Sequence, residues 1–216
     1  PRQDFGGKEV LPGDIKYKDV NGDGVVNNDD IVPIGYRTVP GVQYGMGLST
    51  SWKNFEFNIL FQGSGKCDFF IGGNGPHAFR NGQTGNILQT MVDDNRWIPS
   101  EISGDISTEN PNANWPRLTW GNNDNNNQKS TFWLRDGRYI RLKNIELRYN
   151  VPTTFTRKFF VSNMQIGFIG ENLHTWSPFK LWDPENATTD EKNSGVRSGN
   201  AYPINRTYSC YIKLSF

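Results

Sequence analysis

The sequence predicts an all-β protein: an antiparallel sheet of the transmembrane β-barrel type, apolar on one face, with long polar loops between its strands. Three observations predict it. Hydrophobic residues make up only 35% of the 216 residues, while aromatics reach 13%. That balance suits strands with a single apolar face better than a fully buried core. Apolar and polar residues alternate along five segments, whereas helical spacing is confined to one short stretch. The connections between those segments alternate between short and long, as in up-and-down membrane barrels.

The first predicted strand runs from Val42 to Trp52, with Val42, Tyr44, Met46 and Leu48 on one face and Gln43, Gly45, Gly47 and Ser49 on the other. A tight turn at Trp52-Lys53-Asn54 leads into the second, Asn54 to Gln62, where Phe55, Phe57, Ile59 and Phe61 share a face. The third spans Thr131 to Asn150. Its apolar parity changes from Ile140 and Leu142 to Ile145, Leu147 and Tyr149, which predicts a bulge near Lys143-Asn144. The fourth, Phe159 to Leu173, aligns Phe160, Met164, Ile166 and Phe168. The fifth, Asn205 to Phe216, alternates as Tyr208, Cys210, Ile212, Leu214 and Phe216. A short helix is expected from Gly85 to Asp94.

Strands two and three are separated by about 70 residues, and strands four and five by about 30, lengths that fit external loops. Strands three and four are joined by the short segment Val151 to Lys158. With the short turns on the periplasmic side, residues 64–130, 174–204 and those before Pro40 lie outside. Trp52, Tyr149, Phe159 and Phe160 then form a periplasmic aromatic girdle. Five strands cannot close a barrel. Together with the polar start Pro1-Arg2-Gln3-Asp4, which lacks a signal peptide's apolar region, this leads us to expect a fragment of a longer chain.

The formal net charge is +1, from 23 Lys and Arg against 22 Asp and Glu, with no basic or acidic run. Charge therefore points to no nucleic-acid partner. Cys67 and Cys210 suggest neither a zinc cluster nor a disulfide. No apolar run approaches the roughly 20 residues of a transmembrane helix.

The sharpest local motif is residues 19–30. Oxygen-bearing side chains stand at loop positions one, three and five (Asp19, Asn21, Asp23), with Gly24 at the sharp turn. Val25 offers its carbonyl, Asn27 stands at nine and Asp30 at twelve. This is the spacing of a twelve-residue calcium loop, which wraps six to eight hard oxygens around one point. Asp in place of Glu at position twelve is shorter, so magnesium competes. Pro33 excludes a long exiting helix, which makes a structural Ca2+ clamp the expectation rather than a sensor. The plainer reading is an Asp/Asn/Gly-rich turn without metal.

Several segments, taken in order, resemble one family. They are Pro12 to Gly24; Ile34-Gly35, Pro40 and Tyr44-Gly45; Trp52-Lys53-Asn54-Phe55-Glu56; and Phe61-Gln62-Gly63. Asp136-Gly137-Arg138-Tyr139-Ile140-Arg141-Leu142-Lys143-Asn144-Ile145, Trp182-Asp183-Pro184-Glu185, Tyr202-Pro203 and Leu214-Ser215-Phe216 follow. The sequence resembles the C-terminal part of SusC/RagA-type TonB-dependent outer-membrane transporters, and Tyr208 to Phe216 resembles the β-signal of outer-membrane proteins. The resemblance implies the last five strands of a 22-stranded barrel, bordered by outer-membrane lipid, with residues 1–216 as its C-terminal part. It further implies a plug and a TonB-contacting segment upstream, a SusD-like lipoprotein lid, and import of oligosaccharide or peptide.

Trp97, Trp115 and Trp120 in the loop from Ser64 to Ser130, and Trp176 and Trp182 in the last loop, are candidate contacts to substrate or lid. The alternative for the long loop is a small aromatic core of its own. His77 and His174 lack a catalytic arrangement, and the carboxylate pairs Asp93/Asp94 and Asp183/Glu185 have no supporting context, so no enzyme is expected. The competing account is a soluble, calcium-stabilised β-sandwich acting as a carbohydrate-binding module.

Overall fold

A computed structural model describes residues 2–82, 85–93, 95–188, 190 and 194–216, with only the backbone of Asp93. Among the described residues the strands are β1 (Arg2–Gln3), β2 (Val25–Val26), β3 (Val42–Trp52), β4 (Phe55–Gly65), β5 (Asp68–Ile71), β6 (Leu134–Asp136), β7 (Tyr139–Val151), β8 (Asn163–Trp176), β9 (Val196–Arg197) and β10 (Thr207–Ser215). The helices are α1 (Gln89–Asp93), α2 (Ser100–Ser103) and α3 (Thr153–Thr156), with 3-10 turns between. No helix among them is long and apolar enough to cross a membrane.

The chain divides into two compact units. One comprises residues 36–68, 136–186 and 201–216. It is built on a five-stranded sheet of order β10-β8-β7-β4-β3, antiparallel throughout. The register aligns apolar residues into rows. Leu48 faces Ile59, which faces Ile145. Thr50, Phe57, Leu147, Phe168 and Cys210 form the next row. Because side chains alternate with a period of two, aligned rows mean one continuous apolar face. That face stays open: Met46 is 66% exposed, Leu48 59% and Ile212 63%. A β-sandwich would cover it with a second sheet.

The opposite face is polar and bonded across strands. Arg148 grips Glu146 through Nε (2.7 Å) and Nη2 (2.7 Å) and reaches Glu56 at 3.2 Å. Asn58 donates to Glu146, Asn150 to Glu56 and Gln165 to Asn150.

The expected bulge is present. Leu60 pairs with Asn144 but Phe61 pairs with Leu142, leaving Lys143 as the extra residue. The parity of the apolar residues flips with it, so Ile140 and Leu142 rejoin the face carried below by Ile145, Leu147 and Tyr149.

Several strand boundaries differ from expectation; β4, for one, runs on past Gln62 to Gly65, so Ser64 and Gly65 belong to the strand and not to the loop. Thr131 to Asn150 is not one strand. Asp136 accepts the N–H of Arg138, and Gly137 N–H turns to the Cys67 carbonyl, so the chain breaks between β6 and β7. The strand expected from Phe159 begins instead at Asn163 and runs on to Trp176. Pro152 starts a helical turn at Thr153, and Phe160, left-handed at φ 59°, ends the 3-10 turn that follows. The short helix is confined to Gln89–Asp93, and Asp94 lies outside the described residues.

The other unit comprises residues 1–35, 69–135 and 187–200. Phe69, Ile71, Met91, Trp115 and Trp133 are buried in it. Its long loop therefore has a core of its own.

Gly63 shows how tightly the sheet is packed. Tyr44 leans across it and donates its hydroxyl to the Tyr139 carbonyl at 3.0 Å. A Cβ at Gly63 would meet the Tyr44 ring and the Tyr139 carbonyl at 2.5 Å. Gly63→Val is expected to cost about 1–3 kcal/mol, read as a lower thermal midpoint in detergent.

Candidate functional site

The sheet unit offers two sites, one at each end of its apolar face, and a clasp. At the turn end, Trp52, Phe55, Tyr149 and Ile166 form a row, with the Phe55 and Tyr149 rings 4.7 Å apart. Phe159 and Phe160 extend beyond it, exposed. At the loop end Tyr44, Gly63, Ile140 and Trp176 form the corresponding row. From Tyr44 to Trp52 is eight residues, about 27 Å of strand. The apolar band of a membrane barrel is about 25 Å tall and flanked by aromatic girdles. At the roughly 35–45° tilt of barrel strands, that length corresponds to about 19–22 Å along the barrel axis, close to the height of such a band, and both rows carry aromatic residues.

The clasp joins two segments distant in sequence. Arg141 in β7 is 1% exposed at its side chain. It donates to both oxygens of Asp183 at 2.6 Å, to Glu185 at 2.8 Å and to Thr175 at 3.0 Å, and lies 5.2 Å from the Tyr139 ring. Asp183 and Glu185 are thus held by a guanidinium, an anchoring role rather than an acid–base pair. Trp182 beside them packs edge-on against Phe179 at 4.9 Å. The sequence contained each half of this clasp, but nothing in it said that they meet.

In the loop unit the calcium-type segment is wound by its own backbone. Asp19 accepts from Gly22 and Gly24, Asp23 from Val25, and Asp30 from Val20, Asn21 and Asn27. These N–H bonds, from Asn27 and then Val20, hold the Asp30 carboxyl below its usual range. Gly24 turns at φ +86° with open space around it, as the sharp bend requires. Asn21 donates its amide to Asp23 at 3.0 Å, which brings two of the expected ligands side by side. Among the described residues no three His, Cys, Asp or Glu side chains converge as a metal cluster. The donor set suits a hard cation only with Asn21, Asn27 and the Val25 carbonyl beside the carboxylates.

Asp14, from the Pro-Gly-Asp segment, is buried against Arg117 at 2.8 Å, and Asn123 and Asn126 also donate to it. Asn125 continues the network to the Ile15 carbonyl and to Gln3. Burial raises the Tyr17 hydroxyl above its ordinary range. Sequence reasoning missed this polar core; the run Asn122 to Asn127 was its only signal.

The loop tryptophans separate by exposure. Trp115 is buried beside Trp133, their rings 6.2 Å apart. Trp97 lies half-buried on the Gly13 backbone, where a Cβ would sit 2.1 Å from its ring, and lines a groove of about 390 Å³ with Phe132 and Pro111. Trp120 is 60% exposed, backed by Phe79 at 5.6 Å. His77 is buried against Trp133 at 5.0 Å. Burial, aided by the Arg80 charge, lowers its pKa to about 4.

An open antiparallel sheet with one apolar face, a bonded polar face and aromatic rows at both ends defines a segment of membrane β-barrel wall. Comparison with known proteins agrees. The chain is 30% identical over 208 residues to TonB-dependent receptor P26 of Formosa agariphila, covering 94% of this chain and 20% of that protein. It is 28% identical over 214 residues to TonB-dependent receptor P3 of the same organism, covering 95% and 19%. In fold it matches the RagAB peptide importer in its open-open state with TM-score 0.59 at 21% identity, and in its closed-closed state with 0.60 at 22%. These matches cover 84% and 85% of this chain and 18% of each importer chain. No family model matches the sequence. The chain resembles a segment of a SusC/RagA-type TonB-dependent transporter in sequence and in fold, and spans about a fifth of the length of the curated relatives it matches.

Two outcomes follow from this geometry. Arg141→Met leaves Asp183 and Glu185 without their shared cation and is expected to cost about 3–5 kcal/mol. Limited proteolysis should then cut residues 177–186 faster. His77 is neutral when folded and its folded pKa is depressed, so its contribution is lost as pH falls from about 6.5 to about 4. The loss amounts to about 3 kcal/mol. Urea unfolding of the native protein across that window should show this slope, and His77→Phe should lack it.

Proposed function

We propose that this chain is part of the barrel of a TonB-dependent transporter in a bacterial outer membrane, importing oligosaccharides or peptides together with a SusD-like surface lipoprotein. Sequence likeness to TonB-dependent receptors over nearly the whole chain carries the reading. The open apolar face supplies its physical counterpart, a wall that meets lipid on one side and a polar lumen on the other. In this reading the rest of the barrel, the plug and the TonB-contacting segment belong to the remainder of the transporter. No step of it calls for an enzyme.

The RagAB neighbours are described as peptide importers, which favours peptide on the substrate side. Trp97 and Trp120 are the loop aromatics with surface to offer a substrate or lid. Trp115 is buried against Trp133 instead. The loop at residues 19–30 acts as a structural Ca2+ clamp, with Mg2+ as the weaker competitor. Its supports are the ligand spacing, the Gly24 turn and the closure of Asp30 onto Val20 and Asn21.

Uptake of a labelled oligopeptide mixture and of a labelled oligosaccharide mixture by cells expressing the whole receptor tests the function. Transport of one class should stop when the proton-motive force is collapsed with an uncoupler. Uptake of neither, or uptake indifferent to the uncoupler, would contradict it. For the clamp, 1 mM Ca2+ against a chelator should raise the thermal midpoint of the wild type, by a stabilisation of about 0.4–1.4 kcal/mol for a site in the affinity range of extracellular modules, and Asp19→Ala should abolish the difference.

A further inference from the structure

At the loop end of the apolar face the surface sinks into a shallow groove of about 450 Å³ within the sheet unit. Its apolar part is the aromatic row itself: Tyr44, Ile140 and Trp176. Its rim is formed by Arg138, Pro178 and Lys180, where the chain leaves the strands. Ile140 and Trp176 are directly paired across β7 and β8, on the same face as Leu147 and Phe168. The groove is therefore continuous with the face proposed to meet lipid.

Its charge is of one sign. Lys180 is exposed and has no ion pair within 4.0 Å among the described residues. The Arg138 side chain is 68% exposed and uses Nε to meet Asp136 at 3.0 Å. The Asp136 carboxylate is also occupied by the Arg138 N–H at 2.9 Å. A soluble anion would gain from the two cations but would leave Ile140 and Trp176 in water. A neutral lipid would cover the aromatics but leave Lys180 without a counter-charge. A lipid with a phosphorylated headgroup satisfies both at once, because aromatic rings and basic side chains meet a membrane at headgroup depth.

We propose that this groove binds a phosphate-bearing lipid, its headgroup on Arg138 and Lys180 and its acyl chain along Ile140 and Trp176. The proposal rests on the reading that the apolar face meets lipid. It gives Trp176 a role at the outside of the wall instead of in contact with substrate or lid.

The test uses the whole receptor, reconstituted in phosphatidylcholine nanodiscs with or without diphosphorylated lipid A, and native mass spectrometry of the lipid retained after release. Wild type should retain lipid A, and its fully dephosphorylated form much more weakly. The double variant Arg138→Gln, Lys180→Gln should bind the phosphorylated form at least tenfold more weakly, at about fivefold per charge. The charge-keeping pair Arg138→Lys, Lys180→Arg should restore retention. Trp176→Ala should weaken both forms alike. Equal retention by wild type and the Gln double variant, or no preference for phosphate, overturns the proposal while the membrane reading stands. Retention of no lipid by an inserted receptor also overturns it and points to another segment of the transporter covering the groove. Failure of the receptor to insert into the nanodiscs overturns both.

Discussion

A strand whose side chains alternate between apolar and polar has one face that water does not solvate, and five such strands in register add those faces together. Everything else in the sheet unit depends on that register being kept. Its most exposed test is at Lys143. Without the extra residue there, Tyr139 and Arg141 would turn onto the apolar side, and Ile140 and Leu142 onto the polar side. The bulge lets one strand carry both parities while the face remains whole. It also places Arg141 on the polar side, where Asp183 and Glu185 can take its charge.

The loops are stabilised differently from the wall. They cannot borrow the apolar face, so they combine a small aromatic core with buried polar bonding. Asp14 and Arg117 would be costly alone in that interior, and the carboxamides of Asn123 and Asn126 complete the bonding of the carboxylate. Asn125 and Gln3 then tie the first residues of the chain into the same network. A long loop can hold a fixed shape this way without a large hydrophobic core.

The wall was legible in the sequence because its signal is local. Val42 to Trp52, the Lys53 turn and the parity change near Lys143 each show in a few consecutive residues. The same local reading ran β6 and β7 together, because the break depends on Gly137 bonding to Cys67, some 70 residues earlier. It also started β8 too soon, since Phe159 and Phe160 look like strand residues but sit in a turn. The Arg141 clasp and the Asp14 core were illegible for a related reason: both join segments whose meeting only the fold decides. Among the tryptophans, Trp115 and Trp120 are five residues apart yet differ in burial, 6% against 60% exposed. No periodicity in an irregular loop distinguishes them.

The central claim is that the apolar face meets hydrocarbon. The most direct measurement places a fluorophore by single cysteine at each position from 46 to 51 of the whole receptor in lipid vesicles and compares quenching by acyl-chain-brominated lipid. The account predicts strong quenching at 46, 48 and 50, the face of Met46 and Leu48, and weak quenching at 47, 49 and 51, the face of Ser49 and Ser51. Equal quenching at neighbouring positions, or the opposite alternation, would contradict it.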